Sequence, residues 1–313
     1  MKVAFVFPGQ GSQYVGMGLK MSEAYSAARE IFRQADETLG FPLSRLCFEG
    51  PAEELQKTVN AQPAILTVSV ACLQVLREKG VQPAVVAGHS LGEYSALVAA
   101  GALGFTEALL LVRKRGQYMQ EAVPLGEGGM VAVLGLEART LSEICREVTE
   151  KGCFCAVANY NSPGQVVIAG ETKALAAASA LAREAGAKKC VPLSVSAPFH
   201  TPLMRPAAQR LAADLAQTVI SDPRVPVVAN VTADYVKTGE EVRNLLVAQI
   251  DHPVCWEQSV QRIVSDGAGI FLEIGPGSVL TGLIKKISRL VFAVNVEDPE
   301  SLEQVLARLG EVS

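Results

Sequence analysis

Apolar residues fall in short unbroken runs, separated by longer stretches in which they recur every three to four positions. The runs at 2–7 (KVAFVF), 84–87 (AVVA), 225–230 (VPVVAN), 270–276 (IFLEIGP) and 290–294 (LVFAV) read as strands buried on both faces. Helical spacing covers 62–79, 91–100, 106–121 and 202–217. Strands alternating with helices in this way predict a mostly parallel sheet covered on both sides.

The middle of the chain follows another rhythm. Strand patterns at 129–135, 153–160, 165–170 and 188–193 are interleaved with helical patterns at 137–150 and 171–186. The order β-α-β-β-α-β is that of a split βαβ, or ferredoxin-like, unit. The expected organisation is therefore a large α/β subdomain built from 1–124 and 198–313, with a small ferredoxin-like subdomain, 125–197, inserted between. Ligands favour such junctions.

Composition narrows the reading. The chain has 313 residues, 49% hydrophobic and 19% charged, with a net charge of −4. This fits an ordinary globular protein and gives no global signal for nucleic acid. Seven scattered cysteines form no C-x-x-C motif, so reduced, packed thiols in a cytoplasm are expected, with Cys153 and Cys155 inside one strand and facing opposite ways. No signal peptide and no unbroken apolar run of membrane-spanning length is read.

Chemistry concentrates at residues 88–92, GHSLG, which follow a strand pattern and precede a helix pattern. In G-x-S-x-G the glycines allow a sharp strand-to-helix turn that exposes the Ser90 hydroxyl, with the next main-chain N–H aimed at a developing oxyanion. A serine nucleophile needs a base. Of the three histidines, His200 lies in a Pro-bracketed loop after the inserted block, His252 adjoins Asp251, and His89 adjoins the serine itself. Loop placement favours His200 and leaves the others open. No acidic residue neighbours His200 in sequence, so a Ser-His dyad with a neutral orienter is expected. Arg115 is the one polar member of the stripe Ala108, Leu111, Val112, Arg115, Met119. A buried guanidinium needs a partner, either a structural salt bridge or a substrate carboxylate. The loop Pro8–Gln13 after the first strand is either a plain turn or a second source of oxyanion N–H groups.

These segments together resemble the malonyl-CoA:acyl-carrier-protein transacylases of bacterial fatty acid synthesis. The resemblance spans the chain: FPGQGSQ near the start, AQPAI at 61–65, GHSLGEYSAL around Ser90, RG-x-x-M at 115–119, NSPGQVVIAG at 161–170, PFH-x-x-LM at 198–204 and EIGPG-x-VL at 273–280. It implies an α/β-hydrolase-like core with a ferredoxin-like insert. It also implies Ser90 as acyl acceptor, His200 as base, Gln249 orienting the histidine through its main-chain carbonyl, Arg115 as clamp for the malonyl carboxylate, and the N–H groups of Gln10 and Leu91 as oxyanion hole. Asn159 and Asn161 match an Asn-rich turn facing the cleft. Leu91 and Phe199 match malonyl rather than methylmalonyl choice.

The resemblance further implies ping-pong transfer from malonyl-CoA to the phosphopantetheine thiol of an acyl carrier protein, with no bound cofactor or metal. A neutral orienter in place of a triad carboxylate is expected to disfavour hydrolysis, so that a carboxylate installed at 249 would raise it. The acidic carrier would dock near Lys285, Lys286 and Arg289, with Lys188 and Lys189 a second basic pair. A cytoplasmic monomer without nucleic-acid or membrane partners is expected. A serine esterase or thioesterase on the same core, and a polyketide acyltransferase acting in trans, are the competing readings.

Overall fold

The computed structural model describes residues 2–195 and 197–312, with side chains to 310. Met1, Ser196 and Ser313, which the expected subdomain ranges include, lie outside the described residues.

The large sheet has six strands: β1 (Lys2–Phe7), β2 (Val85–Gly88), β7 (Val227–Val228), β8 (Tyr235–Val236), β9 (Ala268–Ile274) and β10 (Phe292–Val296), in the order β10-β9-β1-β2-β7-β8. Five are parallel; β8 pairs antiparallel at the edge. Alternation along β1 explains the unbroken apolar runs. Ala4 and Val6 enter one core cluster, with Trp256 and Phe271, while Phe5 and Phe7 enter the other. Each fully buried phenylalanine contributes about 1.5–3 kcal/mol of transfer free energy. The register sets Phe7 beside Gly88, so the loops leaving β1 and β2 emerge together at the carboxyl edge of the sheet, where open α/β folds bind ligands.

The run at 225–230 forms only a two-residue strand. Pro226 has no N–H to donate, though its carbonyl accepts from Val86, and Asn230 leaves the ladder to bond beneath Ser90. The helix Thr58–Glu78 holds no unbroken apolar run of membrane-spanning length, yet it is long and apolar enough to cross a membrane by length and composition; 83% of its most apolar window is buried in the protein. It is a core helix against Phe105–Glu121.

The second sheet is wholly antiparallel: β3 (Gly128–Leu134), β4 (Cys155–Ser162), β5 (Gln165–Glu171) and β6 (Lys189–Pro192), in the order β4-β5-β3-β6. The helices Ala138–Glu150 and Thr172–Glu184 bury Leu141, Ile144, Leu175 and Ala178 against Val131, Val133, Val157 and Ile168 on one face. The other face sends Met130, Ala158, Val167 and Ala169 into the main core. Cys153 lies before β4 rather than within it, and buried Cys155 donates its thiol to the Cys145 carbonyl.

Candidate active site

Steric necessity explains the G-x-S-x-G turn. A Cβ on Gly88 would sit 1.9 Å from the Gly92 carbonyl, and one on Gly92 would sit 2.0 Å from the Phe7 carbonyl oxygen. The strand, the serine turn and the helix Gly92–Ala99 therefore pack backbone to backbone. Gly92→Ala is expected to push the helix off β1 at a cost of about 1–3 kcal/mol. The check is a lowered denaturation midpoint accompanied by lost activity; an unchanged midpoint would contradict the packing argument.

Ser90 has φ 52° and His200 φ 60°, two of the three non-glycine positive values among the described residues. Strain of this kind costs about 1–3 kcal/mol per residue and concentrates at functional sites. The two side chains meet: Ser90 Oγ lies 2.7 Å from His200 Nε2. His200 Nδ1 lies 2.7 Å from the main-chain oxygen of Gln249. A carbonyl can only accept, so Nδ1 carries the proton and Nε2 is free to accept from the serine. Burial, with the Arg115 charge second, pushes the His200 pKa down to about 3, so the imidazole is neutral and base-competent at ordinary pH.

This depression has consequences for rate and stability. Acylation is expected to show no acid-side loss near pH 6.5, the ordinary value for histidine. The unfolded chain takes up a proton at His200 below that value, whereas the folded chain does so only near 3. Stability from this residue is therefore full above pH 6.5 and drains as the pH falls toward 3. Melting temperatures across that window should fall less steeply for His200→Gln than for the native chain; parallel curves would contradict the assignment.

Arg115 is 1% exposed. Its guanidinium donates to Gln62 Oε1 at 2.9 Å, to Gln249 Oε1 at 2.8 Å and to Ser90 Oγ at 3.0 Å. All three acceptors are neutral, Nε has no partner, and no carboxylate forms an ion pair with it among the described residues. A buried cation left in this state is costly. Ser90, His200 and Arg115 face a cleft of about 190 Å³ between the two sheets. Gln10 and Leu91 line it as well, and neither main-chain N–H is taken by another described backbone group. Gly9 brings the first loop against the elbow, since a Cβ there would lie 2.4 Å from the His89 carbonyl oxygen. The arrangement can activate a hydroxyl, hold an oxyanion and receive an anionic acyl group.

A family model described as acyl transferase domain matches residues 4–302. The chain belongs to the acyl transferase family. It is 50% identical over 310 residues to malonyl CoA-acyl carrier protein transacylase of Bacillus subtilis (strain 168), covering 99% of this chain and 98% of that one. The acyl carrier protein S-malonyltransferase structure from Vibrio cholerae matches with a TM-score of 0.95 at 45% identity, over 97% of this chain and all (100%) of the other. A structure of a type II PKS acyl-carrier protein in complex with its malonyl-transacylase matches at TM-score 0.96 and 46% identity, over 98% of this chain and 100% of that chain.

The remaining residues singled out in the sequence fall in two groups. Asn159, Asn161 and Phe199 are buried and line the same cleft. Asn161 Oδ1 lies 2.8 Å from Nε2 of His89, which packs edge-on against Trp256 and so supports the elbow from the side. Gln249 sits just behind the cleft, fully buried. His252 is elsewhere: its exposed ring bonds Asp251 and the Ala248 carbonyl of its own helix, Gly239–Asp251. Because Gln249 reaches His200 through its main chain, a carboxylate in its side chain would face Arg115 and Glu93 rather than the imidazole. The substitution at 249 expected to raise hydrolysis therefore does not build a triad. Lys285, Lys286, Arg289, Lys188 and Lys189 are exposed and outside the cleft; Lys286 Nζ donates to Gln165 Oε1 at 2.9 Å, and Gln165 lines the cleft.

Three polar residues of the site went unread in the sequence. Gln62 holds Arg115. Asn230 accepts from the Ser90 N–H at 2.7 Å and donates to the Gly88 carbonyl at 2.6 Å, fixing the elbow. Glu93, 3% exposed, accepts from Gln249 Nε2 at 2.8 Å and from the Asn230 N–H at 3.1 Å. Glu93 carried a signal: it is a charged residue in an otherwise apolar helix, the same reasoning that singled out Arg115.

Proposed function

We propose that this chain transfers a malonyl group from malonyl-CoA to the phosphopantetheine thiol of an acyl carrier protein, through a malonyl-Ser90 intermediate. The observation that carries the reading is the buried Arg115, held by neutral oxygens 3.0 Å from the Ser90 hydroxyl. It is a cation waiting for an acyl carboxylate beside a nucleophile. Names of relatives at half identity over nearly the full length support the same substrate class.

His200 Nε2 takes the Ser90 proton as Oγ attacks the thioester carbonyl. The N–H groups of Gln10 and Leu91 hold the oxyanion, each contributing about 3–4 kcal/mol. The protonated His200 returns its proton to the departing CoA sulfur, and malonyl-Ser90 remains. The carrier thiol then enters, gives its proton to His200 and attacks the ester carbonyl; Ser90 leaves with that proton. Leu91 and Phe199 wall the acyl pocket, Asn159 and Asn161 face it, and Gln249 orients the base. In this reading the enzyme is a cytoplasmic monomer, its core is α/β-hydrolase-like over 1–124 and 198–313, and 125–197 is a ferredoxin-like insert, as its β-α-β-β-α-β order and strand sequence suggest.

The test is a reaction with malonyl-CoA and a phosphopantetheinylated carrier. Malonyl-carrier should accumulate far faster than free malonate; the reverse would favour a thioesterase. Lys286→Glu, at the rim of the cleft, is expected to slow carrier transfer roughly tenfold at low salt while leaving malonyl-CoA loading unchanged. Equal loss in both half-reactions would remove the basic helix Val279–Ile287 from the docking surface.

A further inference from the structure

Glu93 is a buried carboxylate beside the site that the mechanism above does not use. One turn beyond Ser90, its carboxylate is pinned by the Asn230 N–H and by the Gln249 side-chain amide. The other end of that amide, Oε1, receives Arg115 at 2.8 Å, while Nε2 also donates to the Ser90 carbonyl at 2.9 Å. One amide therefore separates the buried anion from the buried cation. Its orientation is fixed at both ends, because Nε2 can only donate and Oε1 can only accept.

We propose that Glu93 is a positioning residue for acyl selection: it orients the Gln249 amide toward Arg115 and is the guanidinium's counter-charge until an acyl carboxylate arrives to compete for it. This rests on the reading that Arg115 receives the malonyl carboxylate. An anion one amide away makes the empty site tolerable and keeps the hold on malonyl weak enough to release. With malonyl bound, two carboxylates share one guanidinium, which favours protonation of Glu93. Malonyl binding and proton uptake at Glu93 are then coupled, and each must promote the other.

The surroundings allow this coupling to be seen. Burial raises the Glu93 pKa to about 7, against the lowering by Gln249, Asn230 and Arg115. The other groups facing it do not titrate nearby: Arg115 stays cationic, burial raises the Tyr94 hydroxyl further above its ordinary value, and His200 is depressed to about 3. Affinity for the malonyl group should therefore weaken as the pH rises through Glu93's titration.

The experiment measures single-turnover loading of malonyl-pantetheine, whose one charge is its carboxylate, between about pH 5.5 and 8.5. For the native chain the half-saturating concentration should rise, approaching about tenfold over the window. For Glu93→Gln it should be low and flat, and release of malonyl to a thiol acceptor should slow. Glu93→Asp should restore the pH dependence. A Glu93→Gln profile parallel to the native one, or a higher half-saturating concentration at every pH, overturns the proposal, as does a flat native profile, which needs no variant. Absence of any malonyl adduct on the native chain overturns the Arg115 reading and this proposal together; an adduct with an unmoved profile overturns this one alone.

Discussion

Ser90→Ala is expected to abolish the acyl-enzyme and to lower malonyl transfer by roughly 10⁴–10⁶-fold. The size follows from the geometry. Ser90 Oγ is 2.7 Å from His200 Nε2 and 3.0 Å from Arg115, so its oxygen sits between the proposed base and the proposed selector. Removing it leaves the elbow intact, because the turn is held by main-chain bonds through Asn230 and by the glycines. Stability should therefore change little, as φ 52° is no easier for alanine than for serine and the half-buried hydroxyl gives up only its bonds to His200 and Arg115. Residual transfer within tenfold of native would show that another group accepts the acyl chain.

Arg115→Met separates function from structure. The methionine keeps most of the buried stem on the helix Phe105–Glu121 and drops the charge. Loss of a charge-assisted contact of about 1.5–3 kcal/mol should reduce malonyl loading by roughly 10–100-fold. Acetyl loading should rise, since acetyl no longer strands an unpaired cation in the cleft. Were Arg115 a structural ion pair, the same change would destabilise the fold by several kcal/mol. Its direct acceptors are neutral, and buried Glu93 can take up a proton once the charge is gone, so the melting temperature should fall little or not at all. A much lower melting temperature with malonyl preference intact would return Arg115 to a structural role.

The sequence was informative where a residue type is wrong for its local surroundings. Ser90 between glycines at a strand-to-helix switch, and Arg115 on an apolar stripe, both violate local expectation, and both line the cleft. Periodicity gave the strands whose apolar positions enter a core, and Lys189–Pro192 although most of it is exposed; it missed Tyr235–Val236, a two-residue edge strand too short to carry a repeat. It overstated 225–230, where a proline and an inward asparagine end the ladder after two residues. Loop placement favoured His200 over His252 without deciding between them: the deciding difference lies in packing across the fold, which puts the Gln249 carbonyl on one ring and leaves the other exposed. Gln62 and Asn230 were silent for the same reason. An amide is ordinary in any local context, and only partners 53 and 140 residues away make these two part of the site.

The most direct measurement is the intact mass of the protein after brief exposure to malonyl-CoA or acetyl-CoA, quenched in acid, for the native chain, Ser90→Ala and Arg115→Met. The account predicts a single malonyl adduct that requires Ser90, with acetyl excluded from the native chain and admitted when Arg115 is replaced. Free malonate without an adduct, or equal acetyl and malonyl labelling of the native chain, would contradict it.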